Sequence, residues 1–152
     1  MTDRPSEPTD RWELARFLKA QAGVHERALA ELRAGRKQSH WMWFVFPQLA
    51  GLGFSSMAQR YAISGLAEAR GYLAHPTLGA RLVECAEALL QLEGEGSAAT
   101  IMGYPDDLKL RSSATLFAQV SPPGSVFHRL LDRYFDGRAD ERTMSLLQIS
   151  QA

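Results

Sequence analysis

The chain has 152 residues, 45% of them apolar and 22% charged. That length and composition describe one globular domain with a sizeable core and exclude a disordered chain. Its 17 lysines and arginines balance 17 aspartates and glutamates, which excludes a protein whose main business is coating nucleic acid; a local patch such as Arg33, Arg36 and Lys37 suits a small anion better.

Residues Met1 to Thr9 are polar, acidic and proline-containing, and read as a disordered leader without the apolar core of a signal peptide. Residues 10–148 read as a single all-α domain. Asp10 is placed to cap a first helix carrying Trp12, Leu14, Phe17 and Leu18, which Gly23 interrupts. A second helix runs from about Val24 to Ala34, with Val24, Ala28, Leu29 and Leu32 inward and Gly35 as a left-handed stop.

The stretch Lys37 to Gln48 holds two tryptophans, two phenylalanines, a histidine, a lysine and a glutamine. Its residue types allow a strand, but no partner strand can be read elsewhere, and an isolated strand leaves its backbone unpaired. We therefore expect a short buried helix beginning near Ser39 and broken by Pro47. The longest apolar run, Trp41 to Phe46, falls far short of the roughly 20 residues that cross a bilayer, so no membrane association is expected.

Gly51-Leu52-Gly53 is a turn, and Ser55 opens a short helical piece through Tyr61. Ser64 can cap a helix over Gly65 to Ala74, and Pro76 suits the first turn of the next, with His75 as its entry residue. There Leu78, Leu82, Cys85, Leu89 and Leu92 recur at steps of four and three, the cleanest helical period in the chain. Cys85 is the one cysteine, so no internal disulfide forms, and a reducing cytoplasmic compartment is expected. Ser97 caps a short piece to Met102. Pro105 and Asp106 open a helix with Leu108, Leu110, Leu116, Phe117 and Val120 as its apolar members. Ser121-Pro122-Pro123-Gly124 breaks the chain before a helix capped by Ser125, and Asp140 caps the last. The expected architecture is an irregular bundle of seven or eight short helices.

Two segments carry the residues suited to a ligand. In the first, Trp41 or Trp43 could stack on a base or sugar while Lys37 and His40 meet anionic oxygens and Gln48 supplies a hydrogen bond. The plainer alternative makes the aromatics packing residues and Arg36 to His40 a solvated helix start. In the second, Asp106, Lys109 and Ser113 share one helix face with Ser112 beside them; they line a cleft, or Lys109 simply bridges to Asp106. A serine nucleophile is disfavoured, because the order is Lys-x-x-Ser and not Ser-x-x-Lys. The histidines (His25, His40, His75, His128) lie far apart without ligand spacing, so neither a metal nor a cofactor is implied. Gly51-Leu52-Gly53 has neither the preceding strand nor the following lysine of a phosphate loop.

Several strings together resemble the domain-of-unknown-function 1810 family: Glu31 through Lys37, Ser39 through Gln48, Gly51-Leu52-Gly53, Tyr61-Ala62-Ile63, His75-Pro76 and Asp106 through Ser113. The likeness spans roughly Leu14 to Leu147 and implies a small, mainly α-helical fold, leaving activity to be argued from the residues. The label calpastatin carried by some members does not fit this chain. An inhibitor of that kind is proline- and charge-rich and disordered, whereas this one has three tryptophans, seven phenylalanines and a regular apolar period. The expected function is binding of a small anionic, nucleotide or nucleotide-sugar ligand, with hydrolysis as an enzymatic version needing a carboxylate such as Asp106 or Asp107 in the cleft. The alternative is a protein-interaction module without chemistry.

Overall fold

The computed structural model describes residues 10–151. Over them run ten helices: α1 (Ala15–Gln21), α2 (His25–Arg33), α3 (Met42–Val45), α4 (Ser56–Arg60), α5 (Leu66–Ala74), α6 (Leu78–Leu90), α7 (Ala98–Met102), α8 (Asp106–Ala118), α9 (Val126–Phe135) and α10 (Glu141–Gln151). The all-helical reading holds. The number corrects the expected seven or eight, because α3, α4 and α7 are single-turn pieces that stand as separate helices. The leader expected over Met1 to Thr9 lies outside the described residues.

Helices α6 and α8 form the centre, α6 packing against α2, α5 and α9, and α8 against α5, α7, α9 and α10. The residues of the α6 period, Leu78, Leu82, Cys85 and Leu89, are all buried. Its approach to α5 needs a glycine: a Cβ on Gly79 would stand 2.1 Å from the Leu73 carbonyl oxygen. Phe17, Trp41, Tyr72 and Phe117 are fully buried, and Phe17 meets Tyr72 edge to face at 5.0 Å. Truncating one such ring to alanine costs about 3–5 kcal/mol.

Caps follow the sequence reading at Ser55, Ser97 and Ser125, whose side chains accept from the amides of Ala58, Thr100 and His128. The His75 Nδ1 accepts from the amides of Thr77 and Leu78, 3.1 Å each, and so caps α6. Three starts differ from expectation: Ser64 does not cap α5, which begins at Leu66, and its hydroxyl instead donates to Glu68. Helix α1 begins at Ala15, because Glu13 takes a left-handed φ of 55° and Asp10 Oδ1 reaches only the Ala15 amide. Helix α3 begins at Met42 and not near Ser39, because Trp41 before it, at φ −140° and ψ 7°, lies outside the helical region, while the amides of Gln38 and Ser39 are held by Glu31.

After Pro47 the chain turns away and pairs once with a later segment. The Ile63 amide donates to the Gln48 carbonyl and the Ala50 amide to the Ile63 carbonyl, 2.8 Å each, forming an isolated parallel bridge between Leu49 and Ile63. This bridge fixes the backbone of Gln48 beside α8.

Candidate functional site

The two segments singled out in the sequence meet where α3 and the chain after it face the first half of α8. Asp106 is the join. Its Oδ2 lies 2.8 Å from Lys37 Nζ and its Oδ1 3.4 Å from Lys109 Nζ. Lys37 Nζ also donates to the Ser39 carbonyl at 2.6 Å and lies 4.8 Å from the Trp41 ring centre, while Lys109 Nζ lies 5.1 Å from that of Trp43. One carboxylate thus holds two lysines, each resting on a tryptophan.

The two halves of this arrangement differ in access. The Lys37 side chain is only 6% exposed and Trp41 is wholly buried, so neither offers a ligand a free face. Breaking a buried ion pair by removing one partner costs about 3–5 kcal/mol, which makes Lys37 and Asp106 a structural tether between the two segments. Trp43 is only partly buried, and Lys109 retains part of its exposure. His40 is exposed on the loop before α3 and makes no hydrogen bond among the described residues. Ser113 is buried, its hydroxyl without a partner, and does not line the cleft described next.

A residue that the sequence reading passed over organises the loop. Glu31, at the end of α2, accepts from the Gln38 and Ser39 amides, from the Ser39 hydroxyl at 2.5 Å and from the Trp41 indole N–H at 2.9 Å. Burial alone would raise its pKa, but these donors outweigh it and hold the carboxyl down to about 2. The signal was present in the fixed distance between an acidic helix end and a Ser-x-Trp, but no spacing rule announces such a contact.

The accessible half opens into a groove of about 400 Å³. Four of the sequence-predicted residues line it: Trp43, Gln48, Lys109 and Ser112. Phe54, Leu108, Asp140 and Arg142 join them. Gln48 Nε2 donates to Ser112 Oγ at 2.6 Å, and that hydroxyl donates to the Lys109 carbonyl at 3.1 Å. Phe54 is 75% exposed and Leu108 48%, exposures that leave large apolar surface at the groove without a covering element. Tyr104, 80% exposed, adjoins the lining residue Pro105. Arg142 makes no ion pair among the described residues, whereas Asp140 is spent on its helix: its Oδ2 accepts from the Thr143 amide and hydroxyl. Arg111 holds the loop before it by donating to the carbonyls of Arg138 and Ala139.

A second hollow, about 680 Å³, lies between Trp12, Leu14 and Leu18 and the end of α5 at His75. It is larger but gathers none of the residues singled out in the sequence, and the guanidinium on its rim, Arg11, lies over the Trp12 ring at 4.6 Å. Cys85 is no nucleophile: burial pushes its thiol up to about 12. Among the described residues no group of three or more potential ligands is placed to hold a metal ion, and no helix is long and apolar enough to cross a membrane.

Over residues 11–147 the chain matches the model of a family described as "Protein of unknown function (DUF1810)". It is also similar to the crystal structure of the conserved hypothetical protein Rv1873 from Mycobacterium tuberculosis. The two share 52% sequence identity and a TM-score of 0.87, over 93% of this chain and 98% of that one. No curated protein matches the chain.

Proposed function

We propose, from the premise that this chain belongs to the DUF1810 family, that it binds a small nucleotide-like anion in the groove between α3 and α8. The observation that carries the reading is the convergence there of Trp43, Gln48, Lys109 and Ser112 from two segments some sixty residues apart, joined by Phe54 and Arg142. Two aromatic side chains offer stacking surface, Lys109 and Arg142 offer positive charge, and Gln48 with Ser112 offers hydrogen bonding. A ligand that is both flat and anionic uses all three. A fatty or purely cationic ligand uses at most one.

Binding is supported better than hydrolysis. Asp106 and Asp107 do not line the groove, and Asp140, which does, is engaged in capping α10. An interaction module would present Trp43 or Phe46 on a flat apolar face; instead Phe46 is buried and Trp43 lies in a concavity. A thermal-shift screen of nucleotides, nucleotide sugars and sugar phosphates tests the reading. We expect nucleotides to raise Tm in the native protein, and the rise to shrink in Lys109→Ala and Arg142→Ala. A protein that no nucleotide or anion stabilises would refute the reading.

A further inference from the structure

We infer that the groove selects an amino-bearing nucleobase, of the adenine type, over its keto counterpart. This deepens the proposed function and rests on it.

The selecting group is Gln48. Ordinarily the orientation of a glutamine amide is open, since its oxygen and nitrogen differ little in shape. Here the neighbouring hydroxyl decides it. Ser112 has one proton, and that proton is given to the Lys109 carbonyl one turn earlier in α8. The Ser112 oxygen then accepts, and Gln48 turns its NH₂ toward it at 2.6 Å. The backbone of Gln48 is held as well, because its carbonyl accepts from the Ile63 amide. Turning the amide over would set Oε1 against the Ser112 oxygen while the Ser112 proton stays on the Lys109 carbonyl, so the surrounding hydrogen bonds favour this orientation.

With one N–H spent on Ser112, Gln48 keeps an unpaired acceptor, Oε1, and a second N–H. Oε1 has no hydrogen-bond partner among the described residues and is not sealed from solvent. A fixed acceptor beside a fixed donor complements an edge that presents a donor beside an acceptor. Adenine has that edge in its 6-amino group and adjoining ring nitrogen, and glutamine reads it in nucleic acids by the same bidentate pairing. Hypoxanthine places a carbonyl oxygen where adenine has the amino group. With the amide held in the orientation that Ser112 favours, that oxygen faces Oε1, acceptor against acceptor. Trp43 and Phe54 line the same groove, and Arg142, without an ion pair among the described residues, is the cation free to meet the phosphate.

The test is calorimetric titration of the native chain and of Ser112→Ala with AMP and with IMP. The expected result is that AMP binds the native protein at least tenfold more tightly than IMP. In Ser112→Ala the amide is released to turn over, so the ratio of AMP to IMP affinity is expected to collapse toward one, whatever the change in absolute affinity. Equal affinity of the native protein for AMP and IMP would overturn this inference and leave the groove reading standing. Preference retained in Ser112→Ala would overturn the orientation argument. Binding of neither nucleotide would refute the groove reading and the inference with it. A circular-dichroism melt of Ser112→Ala, expected to match the native fold, separates lost selectivity from lost structure.

Discussion

At Glu31 four donors from one loop converge on a single carboxylate, and the loop takes its shape from that side chain. The consequence is a pH dependence of fixed sign. In the unfolded chain the carboxyl titrates near its ordinary 4.5, and in the folded protein near 2. Its contribution to stability is therefore complete above about 4.5 and is lost as pH falls toward 2. Glu31→Gln keeps one acceptor and the side-chain volume but loses the charge, so we expect a loss of about 1–3 kcal/mol near neutral pH. The gap between variant and native should narrow steadily below pH 4.5, as followed by urea unfolding at a series of pH values. A gap that is constant with pH would show that the carboxylate charge is not what holds the loop. Nothing in the sequence reading singled out Glu31. Its partners span ten residues across a turn, and neither helical nor strand periodicity couples positions at that separation.

At the scale of elements, the α5–α6 pair sets local propensity against packing. Replacing a helix-interior glycine by alanine ordinarily stabilises by about 1 kcal/mol. At Gly79 the new methyl would press on the Leu73 carbonyl, which is backbone and cannot swing aside. Gly79→Ala is therefore expected to destabilise by about 1–3 kcal/mol, lowering Tm by several degrees for a domain of this size. An unchanged or raised Tm would contradict the close crossing. The buried stripe of α6 was legible because packing and period agree along thirteen residues. The caps at Ser55, Ser97 and Ser125 were legible for a similar reason: a cap reaches only two or three residues along the chain. The starts of α1 and α3 were not, since each is set by a tertiary or backbone feature that overrides the local signal.

For the whole molecule, the question is which cleft the fold has built for use. From the sequence, the aromatic segment and the Asp106–Ser113 segment could be marked as unusual, but their meeting could not be read. It depends on the Lys37–Asp106 ion pair and on the single bridge between Leu49 and Ile63. The same fold that joins the segments also divides them, burying Lys37 and Trp41 as structure and leaving Trp43, Gln48, Lys109 and Ser112 on the groove. Phe54 and Arg142 could not have been chosen beforehand: one follows a glycine turn, the other opens the last helix, and neither has a local pattern to mark it. The three tryptophans supply reporters at three distinct places. Trp12 lines the hollow by α5, Trp41 is sealed against Glu31, and Trp43 walls the groove. The most direct measurement is therefore a ¹H–¹⁵N spectrum of the indole N–H signals during titration with AMP, with Trp43→Phe used for assignment. The account predicts that the Trp43 signal moves and saturates while those of Trp12 and Trp41 hold still. Movement of the Trp12 signal alone, or of none of the three, would contradict it.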